Sequence, residues 1–194
     1  MSTLTGIVRD YVRDHQYSAE QEQRWFAIQP TFRQTVEVAA LARSPSGKRL
    51  SHQRRIPERV LEESCRRLVA KLRALEASSS FEELYGTIAA TIRPILGIGE
   101  LTVYDTALRI GAFRRFEPCG VFLHAGTRVG ARRLGLDTSN EFLPLDSLPA
   151  ELRVLKPHEI EDVLCIYKHR LGVTAEQHGD PAGRPISSRR PAGC

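Results

Sequence analysis

Apolar residues recur along most of the chain at intervals of three and four, the spacing that lines one face of an α-helix. The pattern predicts helices over Thr5–Arg13 and Ser18–Gln29, the second with Ser18 as N-cap, Gln21 three residues on, and Trp25, Phe26 and Ile28 on its apolar face. Pro30 opens a third helix carrying Phe32, Val36, Ala39 and Ala40, which the breaker Ser44–Gly47 ends. The clearest stripe is Val60, Leu61, Cys65, Leu68, Val69, Leu72 and Leu75, and it predicts one helix from Pro57 to Ala77. Ser80 and Glu83 form a capping-box pattern for a helix from Phe81 to Arg93, which Pro94 stops.

A tight glycine turn follows, in LGIGELTVYDTALRIGA (Leu96 to Ala112), and then a helix from Thr102 to Ala112. VFLHAGTRVGARRLG reads as a strand-like lead into another helix. Pro157 starts the last one, with Glu159, Glu161 and Asp162 early, Lys168 to Arg170 late and Gly172 as its stop. Without an alternating strand pattern or internal repeat, the expected class is all-α: a compact helical domain over 1–172 with a helix-hairpin-helix at about 81–112. The last residues, 173–194, have almost no large apolar side chain and read as a disordered tail.

Composition narrows the partners modestly. The 194 residues carry a net charge of +5 and a pI near 9.3, which favours an anionic partner such as nucleic acid. The first residues carry Arg and Asp where a signal peptide needs an apolar core, and no run reaches membrane-spanning length, so a cytoplasmic protein without membrane contact is expected. Cys65, Cys119, Cys165 and Cys194 lack metal or redox spacing, so packing thiols and no metal or cofactor are expected. The Gly97/Gly99 pair is also a poor dinucleotide-binding loop, because Thr102 occupies the third glycine position and a helix precedes it.

Leu96, Gly97, Ile98, Gly99 and Thr102 fit, in order, the apolar-x-Gly-apolar-Gly-x-x-Thr pattern of the helix-hairpin-helix motif, which this segment resembles. Glycines there let the backbone approach a DNA phosphate, and the amides opening the next helix receive it. The competing reading makes Gly97 and Gly99 a purely structural corner, and the chain a protein-interaction module. Basic residues that could extend a phosphate surface are Lys48, Arg49, Arg54 and Arg55, with His52, in one loop, and Arg128 and Arg132 with their neighbours in the helix after His124.

Over Phe81 to Leu136 the chain resembles the helix-hairpin-helix base-excision DNA glycosylases, whose hairpin is followed by a catalytic aspartate and a basic helix ending in Leu-Gly. It is also similar to a set of bacterial proteins of no assigned activity that share GIGELTVYDTALRIGA and HAGTRVGARRLG. The resemblance implies DNA binding and glycosylase-like architecture. Two positions depart from the family: Leu101 stands where some members carry a lysine nucleophile, and His124 where the aspartate belongs. His124 and Asp105 are then the candidate catalytic residues for a glycosylase of altered chemistry.

Overall fold

The computed structural model describes residues 3–172, so the predicted tail falls outside the described residues. The fold is mostly helical: α1 (Leu4–Tyr11), α2 (Tyr17–Ala27), α3 (Phe32–Ala40), α4 (Glu58–Ala70), α5 (Leu72–Ala77), α6 (Phe81–Ile92), α7 (Glu100–Arg114), α8 (Ala125–Arg133) and α9 (Pro157–Ile166). A two-stranded antiparallel sheet joins β1 (Gly120–Phe122), at the strand-like lead before α8, to β2 (Phe142–Pro144), which the helical reading lacked, with Val121 paired to Leu143.

Three boundaries differ from the sequence expectation. The first two helices are joined by a π-helical turn over Val12–Gln16, so Ser18 caps nothing. The stripe after Pro57 is divided at Lys71, which leaves helical geometry between α4 and α5. The last helix ends at Ile166, before its basic residues. The Ser80 cap forms as expected: its Oγ accepts from the Glu83 amide at 3.2 Å, while the Glu83 carboxylate takes the amide and hydroxyl of Ser79.

The buried apolar side chains fall into two cores. One is built from α2 to α7 around Phe26, Leu61, Leu84, Ile88 and Ile110; the other joins α1, α8, α9 and the segment between β2 and α9 around Tyr11, Leu152, Ile160 and Leu164. β1 lies between them and serves both, because strand side chains alternate: Phe122 enters the first core, Val121 and Leu123 the second. α8 and α9 pack at very short range. A Cβ on Gly130 would stand 2.1 Å from the Leu164 carbonyl oxygen, and one on Gly126 2.7 Å from Cys165 Sγ.

Candidate functional site

α6, the glycine turn and α7 form an αα-hairpin whose tip is open to solvent. Gly97 has φ +100°, a conformation costly for any residue with a Cβ, which explains glycine there. Leu96 is 94% exposed, whereas Ile98 is buried and its amide donates to Ile95. Gly99 begins α7 without any side-chain cap, and the amides of Gly99, Glu100 and Leu101 have no partner among the described residues. Thr102 differs from the phosphate role drawn for it: its side chain is buried and its amide is spent on the Gly99 carbonyl.

The predicted basic residues divide. Lys48, Arg54 and Arg55 are exposed and make no ion pair among the described residues. Arg49 instead clasps its own loop, donating to the Ile56 carbonyl and to Glu58. Arg128 is tied to the carbonyls of Thr138 and Asn140, with Glu100 of the hairpin at 3.7 Å, and Arg132 donates to Thr138 Oγ1.

One turn and a half into α7, Asp105 is buried where the two cores meet. Gln53 Nε2 donates to its Oδ2 at 2.7 Å, His52 Nδ1 lies 3.2 Å from the same oxygen and Arg109 Nη2 3.3 Å from it; Oδ1 takes none of these bonds. Arg109 also donates to Glu22 at 3.1 Å and to the side-chain amide oxygen Oε1 of Gln53. Burial alone would raise the Asp105 pKa, but the Arg109 charge and the hydrogen bonds from His52 and Gln53 outweigh it and hold the group below the usual carboxylate range. Asp105 is therefore ionised, and its hydrogen bond raises His52, whose Nε2 is left free. Gln53 had no assigned role in the sequence reading and His52 only that of a phosphate contact; a short 3₁₀ turn at Ser51–Gln53 brings both to α7.

Across from Asp105 stand Glu161, Asp162 and His158 of α9, and together these groups line a cavity of about 110 Å³, the volume that about four waters fill in the liquid. The π-helical turn helps to build this wall, since it sets Tyr11 to donate to Asp162 Oδ2 at 2.9 Å and Gln16 to Glu159 at 2.8 Å. Burial and the neighbouring Glu161 charge push Asp162 up to about 7, and burial raises Glu161 as well. His158 also lines the cavity; it is buried, its pKa is lowered by burial, and its Nδ1 is a buried nitrogen with no hydrogen-bond partner.

His124 is not in the lining. Its side chain caps α8 by accepting from the Gly126 amide at Nδ1, which leaves the ring proton on Nε2, hydrogen-bonded to Glu161. Cys165 completes a buried His-Glu-Cys group whose ligating atoms lie within 4.8 Å of one another. These are metal-binding residue types, but a nitrogen that carries a proton toward Glu161 is not a free ligand; the group reads as a hydrogen-bonded pair beside a thiol that burial pushes up to about 11. His124 thus holds Glu161 in place rather than facing the cavity.

The raised Asp162 pKa has a measurable consequence. The folded protein binds this proton more tightly than the unfolded chain, so stability falls as pH rises from about 4 to about 7. Asp162→Asn is expected to flatten that part of the stability curve, read by denaturant midpoints across pH; an unchanged slope removes the group from the titration.

No helix of the described residues is long and apolar enough to cross a membrane. No protein-family model, curated protein or solved structure matches the chain, so its functional reading stands on the geometry of the hairpin and the cavity.

Proposed function

We propose that the protein binds duplex DNA, seating a backbone phosphate on the α6–α7 hairpin. The observation that carries this reading is the solvent-exposed, uncapped start of α7, where three consecutive amides lack partners beside a glycine turn. Partial positive charge at a helix N-terminus and unpaired N–H groups are what a phosphate needs, and the exposed Arg54 and Arg55 lie in the loop that meets the same helix through His52. Such contacts fix position and not sequence.

Gly99→Ala tests it with little risk to folding. Its Cβ would meet nothing within 4 Å, so the fold accepts the methyl group, which on this reading hinders the close approach of a phosphate to the backbone. The wild type is expected to bind duplex with a log-affinity that falls linearly with log salt, and Gly99→Ala to bind about tenfold more weakly, the worth of roughly one charged hydrogen bond. Equal affinity of the two proteins removes the hairpin from the interface.

A second reading, hydrolysis of the bond between sugar and base, is favoured by the cavity, where an ionised carboxylate faces a proton-holding one. Groups whose environments push their pKa values apart are suited to paired base and acid roles. In this reading Asp105 takes a proton from a water as its oxygen bonds to the anomeric carbon, and Asp162 gives its proton to the base nitrogen as the carbon–nitrogen bond breaks. The enzyme would have to extrude the nucleotide to reach it. Release of free base from duplexes carrying modified bases, present in wild type and absent in Asp105→Asn, is the expected result; no release from any such duplex leaves DNA binding alone.

A further inference from the structure

Three shallow grooves meet on the outer face of α4, α5 and α6, away from the cavity. Their rims hold Arg33, Arg66, Arg67, Lys71, Arg73 and Arg93, and no acidic side chain lines any of them. The floor is made mostly of alanine and threonine, small enough for a flat or ribbed partner to come close to the helix backbones. Neighbouring acids temper part of this charge: Glu63 pairs with Arg66 and Arg67, Glu37 with Arg33, and Glu141 with Arg93. Lys71 and Arg73, both exposed, make no ion pair among the described residues; Lys71 stands at the break between α4 and α5 and Arg73 in the first turn of α5. Of the six rim cations, four are paired with three acids, and Lys71 and Arg73 remain without an ion-pair partner.

The grooves run into the hairpin. Arg93 and Pro94 immediately precede the turn, and Val60, near the start of α4, stands 3.6 Å from where a Cβ on Gly97 would lie. From Val60 to Ala70 the helix advances about 15 Å, so the basic face extends that far from the glycine tip. At 3.4 Å per nucleotide along a strand, this covers roughly four to five nucleotides.

We infer that this face is a second binding site for nucleic-acid phosphates, continuing the path of the strand held at the hairpin, with Lys71 and Arg73 as its free cations. The inference rests on the DNA-binding reading and gives that interface a direction: the flanking duplex lies over α4–α6 and not only beside the 48–55 loop. Charge complementarity and continuity with the hairpin select a polyanion as the occupant.

The test compares four full-length proteins on one duplex of about 20 base pairs across salt: wild type, Gly99→Ala, the pair Lys71→Glu with Arg73→Glu, and a charge-matched control, Arg9→Glu with Arg153→Glu, at exposed positions off this face. Loss of two phosphate contacts is expected to lower the salt slope by about 2 and the affinity at moderate salt by about tenfold, with the control close to wild type. A Lys71/Arg73 variant that keeps the wild-type slope, or a control that loses as much, overturns the inference while the hairpin reading stands. Failure of the wild type to bind removes both. Tighter capture of an acidic helical peptide than of duplex, abolished by the same two substitutions, assigns the face to a protein partner and also overturns it.

Discussion

Asp105→Ala is expected to destabilise the protein by about 3–5 kcal/mol, the usual cost of leaving one partner of a buried ion pair uncompensated. Arg109 has a side chain only 5% exposed, and without Asp105 its remaining acceptors are the half-buried Glu22 and the side-chain Oε1 of Gln53. The cost has a pH signature. Because the folded pKa of Asp105 lies below its unfolded value, the stability it contributes is present above the unfolded pKa, near 4, and is lost as pH falls through the lowered folded value. The wild type therefore loses more stability on acidification than the alanine variant, and their unfolding midpoints converge toward low pH. Parallel curves would mean that Asp105 is not the ionised partner of Arg109.

Gly130→Ala is expected to be nearly as damaging for a steric reason. The added methyl would overlap a backbone oxygen of α9, an atom that no rotamer change can move aside. α8 and α9 would have to separate, at a cost of about 3 kcal/mol or more, which lowers the melting temperature of a chain this size by roughly 6–12 °C. Separation also draws His124 away from Glu161, so the Glu161 wall of the cavity should loosen with it. Gly86→Ala in α6 is the control: its Cβ meets nothing, and replacing a mid-helix glycine should stabilise by about 0.5–1 kcal/mol. A melting temperature for Gly130→Ala close to wild type contradicts the close packing of the two helices.

Much of the helical layout is legible in the sequence because it is encoded locally. The Ser80 cap, the Pro57 start and the stripe through Leu61, Leu68 and Leu75 each rest on residues within a turn or two of one another. The break at Lys71 and the π-helical turn at Val12–Gln16 carry no glycine or proline to announce them. β1 is legible only as a strand-like lead into α8, and β2 not at all, because three residues are too short a run to tell a strand from a helix.

The cavity was half legible. Asp105 stood out as a carboxylate one turn and a half past the glycines, but its partners His52 and Gln53 sit in a loop whose arginines suggest only phosphate contacts. Glu161 and Asp162 look like ordinary acids at the start of a helix, where they offset the dipole. What sets them apart is long-range contact, Asp162 with Tyr11, 151 residues away, and Glu161 with His124, which no local pattern records. His124 was visible as an unusual residue in its place, yet its direction depends on α9.

The strand shared by the two cores has a consequence for how the molecule can fail. Val121 and Phe122 are neighbours in the chain but belong to opposite cores, so the loss of either core pulls on the same three residues. Neither half is expected to melt while the other stays intact around it. Heating should therefore give one calorimetric peak, with calorimetric and van't Hoff enthalpies equal. The slowest amide protons of both halves should also exchange at a common rate, set by opening of the whole molecule.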